Sequence, residues 1–191
     1  MQNATQAVGV HPVKHPRKTF ALAMLVYLLV VHGASINLYP VGRDYAAMAE
    51  PARLGGWAAT LFAWEVRLFQ DNPVPYRFVN LACLYGIMLA LFFYVRHTAR
   101  GPWWLGSLAA TLLMANPVKS EAVLYLSGVR ELIPALLLLS SLAVYVADVR
   151  ACRLWKYLIA LGLGAAAMFA NIGNVCLAVI LILQEALVAT P

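Results

Sequence analysis

The segment from Asn116 to Tyr145 reads NPVKSEAVLYLSGVRELIPALLLLSSLAVY, and the charges that open it, Glu121, Arg130 and Glu131, are where this chain could do chemistry. A charged side chain beside a long apolar run is costly to desolvate, so it pairs, snorkels to water or serves a site. Pairing or snorkelling is the commoner fate near the end of such a run. Pro134 stands where it can interrupt the first turn of the run. Asp44, in YPVGRDYAAM, is the second candidate. Beside Arg43 it reads first as an exposed loop acid in a weak ion pair. His32 could ligate a metal, but no second His, Cys or carboxylate lies at helical spacing from it. A hydrogen bond to a neighbouring helix fits it better. Cys83, Cys152 and Cys176 are odd in number and widely spaced, which is neither a disulfide framework nor a zinc motif. No metal and no cofactor is expected.

The elements that carry these residues are apolar throughout. Hydrophobic residues make up 63% of the chain, charged residues 12%, and the mean hydropathy is +0.76, far above that of a soluble domain. A membrane-crossing helix needs about 20 mostly apolar residues, and windows of that kind recur. The pattern predicts an all-α, polytopic transmembrane helix bundle of about six spans: 19–38, 75–95, 103–118, 132–147, 154–170 and 173–187. Residues 1–18 form a polar N-terminal tail, and 19–191 form a single membrane domain. Tyr39–Pro40 follows the first apolar run where a cleavable leader would carry small residues, so that run is expected to stay as an anchor.

Orientation follows from Lys and Arg near the span ends, because basic segments stay on the cytoplasmic side. With both termini inside, the inner segments hold Lys14, Arg17, Lys18, Arg96, Arg100, Arg150, Arg153 and Lys156 against Asp148 and Glu185. The outer segments hold the remaining acids, balanced by Arg43, Arg53, Arg67, Arg77, Lys119 and Arg130. The net charge of +6 is therefore a membrane-face signal. Nucleic acid is not an expected partner, since the aromatic residues lie in or beside spans and not among exposed basic stretches.

The outer loop 39–74 is long enough for structure of its own. From Trp57 to Phe69 the sequence WAATLFAWEVRLF sets Trp57, Leu61, Trp64 and Leu68 on one face, which predicts an amphipathic helix lying in the outer interface. Asp71, Asn72, Pro73 and Pro75 then turn the chain into the second span. In the fifth span Gly162, Ala166 and Ala170 recur every four residues, with Ala160 and Gly164 as a second small pair. Such residues let helix backbones approach closely, so these are the expected packing positions.

Three blocks between Tyr76 and Tyr145 resemble the core of GT-C class membrane glycosyltransferases, in particular the group similar to protein O-mannosyltransferases with tetratricopeptide repeats. They are PYRFVNLACLYGIMLALFFYVRH, NPVKSEAVLYLSG and RELIPALLLLSSLAVY, with Val79–Asn80, Pro117, Glu121–Ala122–Val123, Ser127–Gly128 and Glu131–Leu132 at matching places. The resemblance implies a GT-C-like half fold in a bacterial inner membrane. It also implies transfer of a sugar from a polyprenyl-phosphate donor at the outer membrane face. It would put Asp44 in the place of the loop acid that acts as base, and Glu121, Arg130 and Asn116 near the donor.

The chain departs from that pattern at chemical positions and keeps it at packing positions. Arg43–Asp44 stands where two acids are usual, Asn116–Pro117 where His-Pro is usual, and Gly128–Val129 where Gly-Arg is usual. Family members also have about twice as many spans. The expectation is therefore a non-catalytic, glycosyltransferase-like membrane subunit that docks onto other integral membrane proteins and stabilises or organises their complex. The alternative is a minimal transferase that binds polyprenyl-phosphate and uses Asp44 as base. A transporter or channel fits less well, for no inverted repeat and no row of charges along one span is present.

Overall fold

The computed structural model describes residues 16–33, 36, 42–49, 56–99, 102–115, 122–148 and 154–170. Among them the structure is all-helical, with no strand. The helices are α1 (Pro16–His32), α2 (Gly42–Ala49), α3 (Trp57–Phe69), α4 (Pro73–Ala99), α5 (Trp103–Ala115), α6 (Val129–Asp148) and α7 (Leu154–Ala170). A 3-10 turn, Leu126–Gly128, leads directly into α6. The expected sixth span, 173–187, lies outside the described residues, as do Asn116 and Glu121.

α4 is the axis of the fold. Its start is set by Pro73, whose missing N–H costs nothing in a first turn, and by Asn72, whose Oδ1 accepts the Val74 N–H at 3.1 Å. At about 1.5 Å per residue its 27 residues reach roughly 40 Å, more than the ~30 Å of a bilayer core. It is longer than expected at both ends, starting two residues before Pro75 and passing Arg96 to Ala99.

α5 and α6 pack on α4, and α7 packs on α6. Close contacts fix the directions. Asn80 meets Tyr125 and Gly86 faces the Leu136 side chain, so α6 runs parallel to α4. Gly106 lies against the Phe92 carbonyl, Phe20 stacks on Phe92 with ring centroids 4.2 Å apart, and Arg77 reaches the Ile36 carbonyl, so α5 and α1 run antiparallel to α4. Ser141 Oγ donates to the Ala160 carbonyl at 2.6 Å, and Tyr145 meets Tyr157 further along, so α7 runs back along α6. The core between them is Leu84, Met88 and Phe92 of α4, Ala110 and Met114 of α5, Leu132 of α6, and Phe20 and Leu28 of α1.

Two helical stretches, Pro73–Ala99 and Leu126–Ala147, are long and apolar enough to cross a membrane. Only 39% and 28% of their most apolar windows are buried inside the protein. The remainder of each stretch is mostly half-buried, with few fully exposed side chains. α1, α5 and α7 are apolar but shorter. Pro134 sits inside α6 and does not end it, and the helix starts at Val129, three residues before the expected Leu132, because the 3-10 turn feeds straight into it.

Candidate functional site

Tyr76, Arg77 and Asn80 occupy the first two turns of α4 and are fully buried, at 0%, 1% and 0% exposure. Three polar side chains in an apolar bundle must each find work for their hydrogen-bonding groups, or leave a desolvation cost of about 1–3 kcal/mol apiece. Tyr76 Oη donates to the Gln70 carbonyl at 3.0 Å and closes the corner between α3 and α4, where Gln70 takes a left-handed φ of 49°. Phe69 packs edge-on to the Tyr76 ring at 5.3 Å and seals that corner. Arg77 Nη1 donates to the Ile36 carbonyl at 3.3 Å. Asn80 Nδ2 donates to the Tyr125 carbonyl at 2.8 Å, while its Oδ1 is buried with no donor.

Asp44 completes this cluster from α2. It is not the exposed loop acid its neighbours in sequence predict: only 1% of it is accessible. Its Oδ1 accepts the backbone N–H of Leu126 at 2.9 Å, across 82 residues of sequence. Its charge also acts on the Arg77 guanidinium. Asp44, Arg77 and Asn80 therefore each bind a backbone group of another segment, and together they tie α2, α4, the stretch after α1 and the turn before α6 at one end of the bundle.

Gly128 shows how tightly that turn is held. A Cβ at this position would overlap the Ala122 carbonyl and come within 3.0 Å of Asn80 Nδ2. The Asn80 bond to Tyr125 and the backbone path through Ser127–Gly128 leave room for no side chain there.

Of the expected site residues, Asn116 and Glu121 lie outside the described residues, and the others are placed. Asp44 is brought to the turn that precedes Arg130, and Arg130 is half-buried in the first turn of α6 with Glu131 exposed beside it. Ala160, Gly164 and Ala170 are buried, with Ala167 on the same face, and Ala166 is partly covered. Trp57 Nε1 donates to the Ala166 carbonyl at 2.9 Å. Gly56, at φ 76°, brings the start of α3 so close to the Ala170 carbonyl that a Cβ would sit 2.5 Å from its oxygen. Gly162 differs, for among the described residues nothing lies within 4 Å of where its Cβ would be. Its small face points out of the protein. His32 is buried at the end of α1. No group of three His, Cys, Asp or Glu that could hold a metal gathers among the described residues.

Arg77 and Asn80 were not expected as site residues. The signal was present: a cation and an amide three residues apart in an otherwise apolar helix.

α3 is apolar on two sides. The protein buries Ala58, Ala59 and Phe62, with Val66 and Phe69 packed behind them, while Leu61, Trp64 and Leu68 of the expected apolar face are exposed. Glu65 lies on the covered side, within electrostatic reach of Tyr76 and Cys83 of α4. Its Oε2 is buried without a donor, and burial pushes its carboxyl up to about 7. The folded protein holds a proton there that the unfolded chain releases near 4.5. Stability from the neutral carboxyl is full below 4.5 and lost as pH rises through about 7. Thermal unfolding in detergent is expected to show a lower Tm at pH 8 than at pH 5, by an effect of about 1 kcal/mol after solvent screening. Glu65→Gln should flatten that dependence. An equal decline in the variant would assign it to another group.

No family model, curated protein or solved structure matches this chain.

Proposed function

We propose that the chain is a polytopic membrane protein of about six spans in a bacterial inner membrane, with both termini cytoplasmic, and that it is a non-catalytic, glycosyltransferase-like subunit which docks onto other integral membrane proteins. The observation that carries the non-catalytic part is the use made of Asp44. A general base must reach an acceptor hydroxyl within about 2.6–3.2 Å, directly or through one water. Asp44 is instead enclosed, with one oxygen committed to the Leu126 N–H. It acts as a clamp.

The docking part draws on the α7 surface. Ala160, Gly164 and Ala167 are buried, whereas among the described residues nothing approaches Gly162, which stands with exposed Leu158, Leu161 and Phe169. In lipid a small residue between large ones favours a partner helix, which can approach its backbone more closely than acyl chains can. Gly162→Leu tests this. The isolated chain is expected to keep its thermal stability, within about 0.5 kcal/mol, because the added side chain meets none of the described residues. Stoichiometric partner subunits should be lost from the detergent extract. Unchanged partners with Gly162→Leu would remove this face from the docking role.

The enzyme reading keeps one favourable feature: Asp44, Arg77 and the Arg130 turn lie at the same end of the bundle. In that reading Arg130 would hold the leaving phosphate of a polyprenyl-phosphate donor as its charge develops.

A further inference from the structure

The opposite end of the bundle gathers surface that the docking role does not use. The starts of α1, α5 and α7 meet the ends of α4 and α6 there. Among the described side chains this end carries Lys18, Arg96 and Lys156, with His97. At the Asp44 end, the described side chains Arg67, Arg77 and Arg130 are balanced by Asp44, Glu65, Asp71 and Glu131. Among the described side chains the excess positive charge therefore lies at one end.

Aromatic side chains collar that end. Trp103, Trp104 and Trp155 are exposed, and Lys156 Nζ lies 5.7 Å from the centre of the Trp155 ring. Arg96 stands one turn beyond Phe92, and Trp103 one turn before Gly106, which touches the Phe92 carbonyl, so the two share a level. Arg96 Nη1 is buried with no acceptor. A guanidinium nitrogen in that setting calls for an anion, since a buried donor left unmade costs the full desolvation of the group.

We propose that this end binds the phosphate of anionic phospholipids, with Arg96, Lys156 and Lys18 as the cations and Trp103, Trp104 and Trp155 at headgroup level. The choice of lipid rests on continuity. The side of α5 that runs away from the cations exposes Leu108 and Leu112. The complementary molecule is an amphiphile, with charge at the level of the cations and acyl chains along the leucines. This inference rests on the membrane-crossing reading and is independent of the docking role.

The experiment uses the full chain in vesicles that carry lipids with brominated acyl chains, which quench tryptophan fluorescence. Flotation comes first: a protein that does not float with the vesicles contradicts the membrane reading itself. For a floating protein, brominated phosphatidylglycerol is expected to associate about threefold or more tightly than brominated phosphatidylcholine, and the ratio should fall as salt is raised. Arg96→Gln with Lys156→Gln should bring the ratio near one, while Arg67→Gln at the other end leaves it unchanged. Equal quenching by the two lipids overturns the proposal, as does a loss seen only in Arg67→Gln. Abolition by millimolar inorganic phosphate overturns it in favour of a soluble-anion site. Should the double variant fail to fold, Lys156→Gln alone and the salt series carry the test: a ratio indifferent to both overturns the proposal.

Discussion

Asp44→Ala is expected to destabilise the protein by about 3 kcal/mol, because it removes a charged acceptor from a buried donor and a negative charge from beside a buried cation. The Leu126 N–H would lose the carboxylate that now holds it at 2.9 Å, and Arg77 would lose the charge that acts on it. Asp44→Asn separates the two losses. Its amide oxygen can still accept from Leu126, so it should cost less, about 1–2 kcal/mol, all of it through the missing charge. The measurement is thermal unfolding of the purified chain in detergent, with sugar transfer from a polyprenyl-phosphate donor assayed on the same samples. A clamp gives graded stability, wild type above Asn above Ala, and no transfer in any of them. A base gives transfer in the wild type that Asp44→Asn abolishes at unchanged stability.

Gly128→Ala should be the more damaging change, although it adds a single methyl group. The new carbon would overlap the Ala122 carbonyl and crowd the Asn80 amide, and both of these are held, one as backbone and the other by its bond to the Tyr125 carbonyl. Overpacking that a side-chain rotation can relieve costs about 1–3 kcal/mol, and here the backbone itself must move, so a loss of about 3 kcal/mol or more is expected. The matched control is Gly162→Ala, where the same methyl group meets none of the described residues and improves helix propensity by up to about 1 kcal/mol. Folded yield after mild heating in detergent should drop sharply for the first variant and hold or rise for the second. Equal tolerance at the two positions would mean that the Leu126–Gly128 turn is not pinned as described.

What could be read from the sequence divides along physical lines. Helices punctuated by local chemistry were legible: α3 covers Trp57–Phe69, bounded by Gly56 and by Asn72–Pro73. α2 was not, for GRDYAAMA is short and holds no apolar repeat long enough to suggest a helix. α3 also carries a second apolar face, Phe62, Val66 and Phe69, which the spacing of Trp57, Leu61, Trp64 and Leu68 did not bring out, and it is this second face that meets protein. Asp44 was recognised as a candidate, but its burial was illegible, because its partner is a backbone N–H far away in sequence and backbone partners leave no mark on composition. Arg77 and Asn80 could have been found by asking what a cation and an amide do inside an apolar helix.

The small residues of α7 carry the same lesson. Their spacing marks both Ala160–Gly164 and Gly162–Ala166 as packing pairs, yet among the described residues the first pair is buried and Gly162 meets nothing. Sequence spacing identifies a helix that can be approached closely, and only the bundle shows which side remains to be approached.

The most direct test of the account is to extract the chain from its native membrane in mild detergent, measure the mass of the particle and identify what remains bound in stoichiometric amounts. A docking subunit comes out as part of a larger particle with a fixed set of integral membrane proteins. A chain that leaves the membrane alone, carries polyprenyl-phosphate lipid and turns over a lipid-linked sugar would contradict the account and return Asp44 to the role of a base.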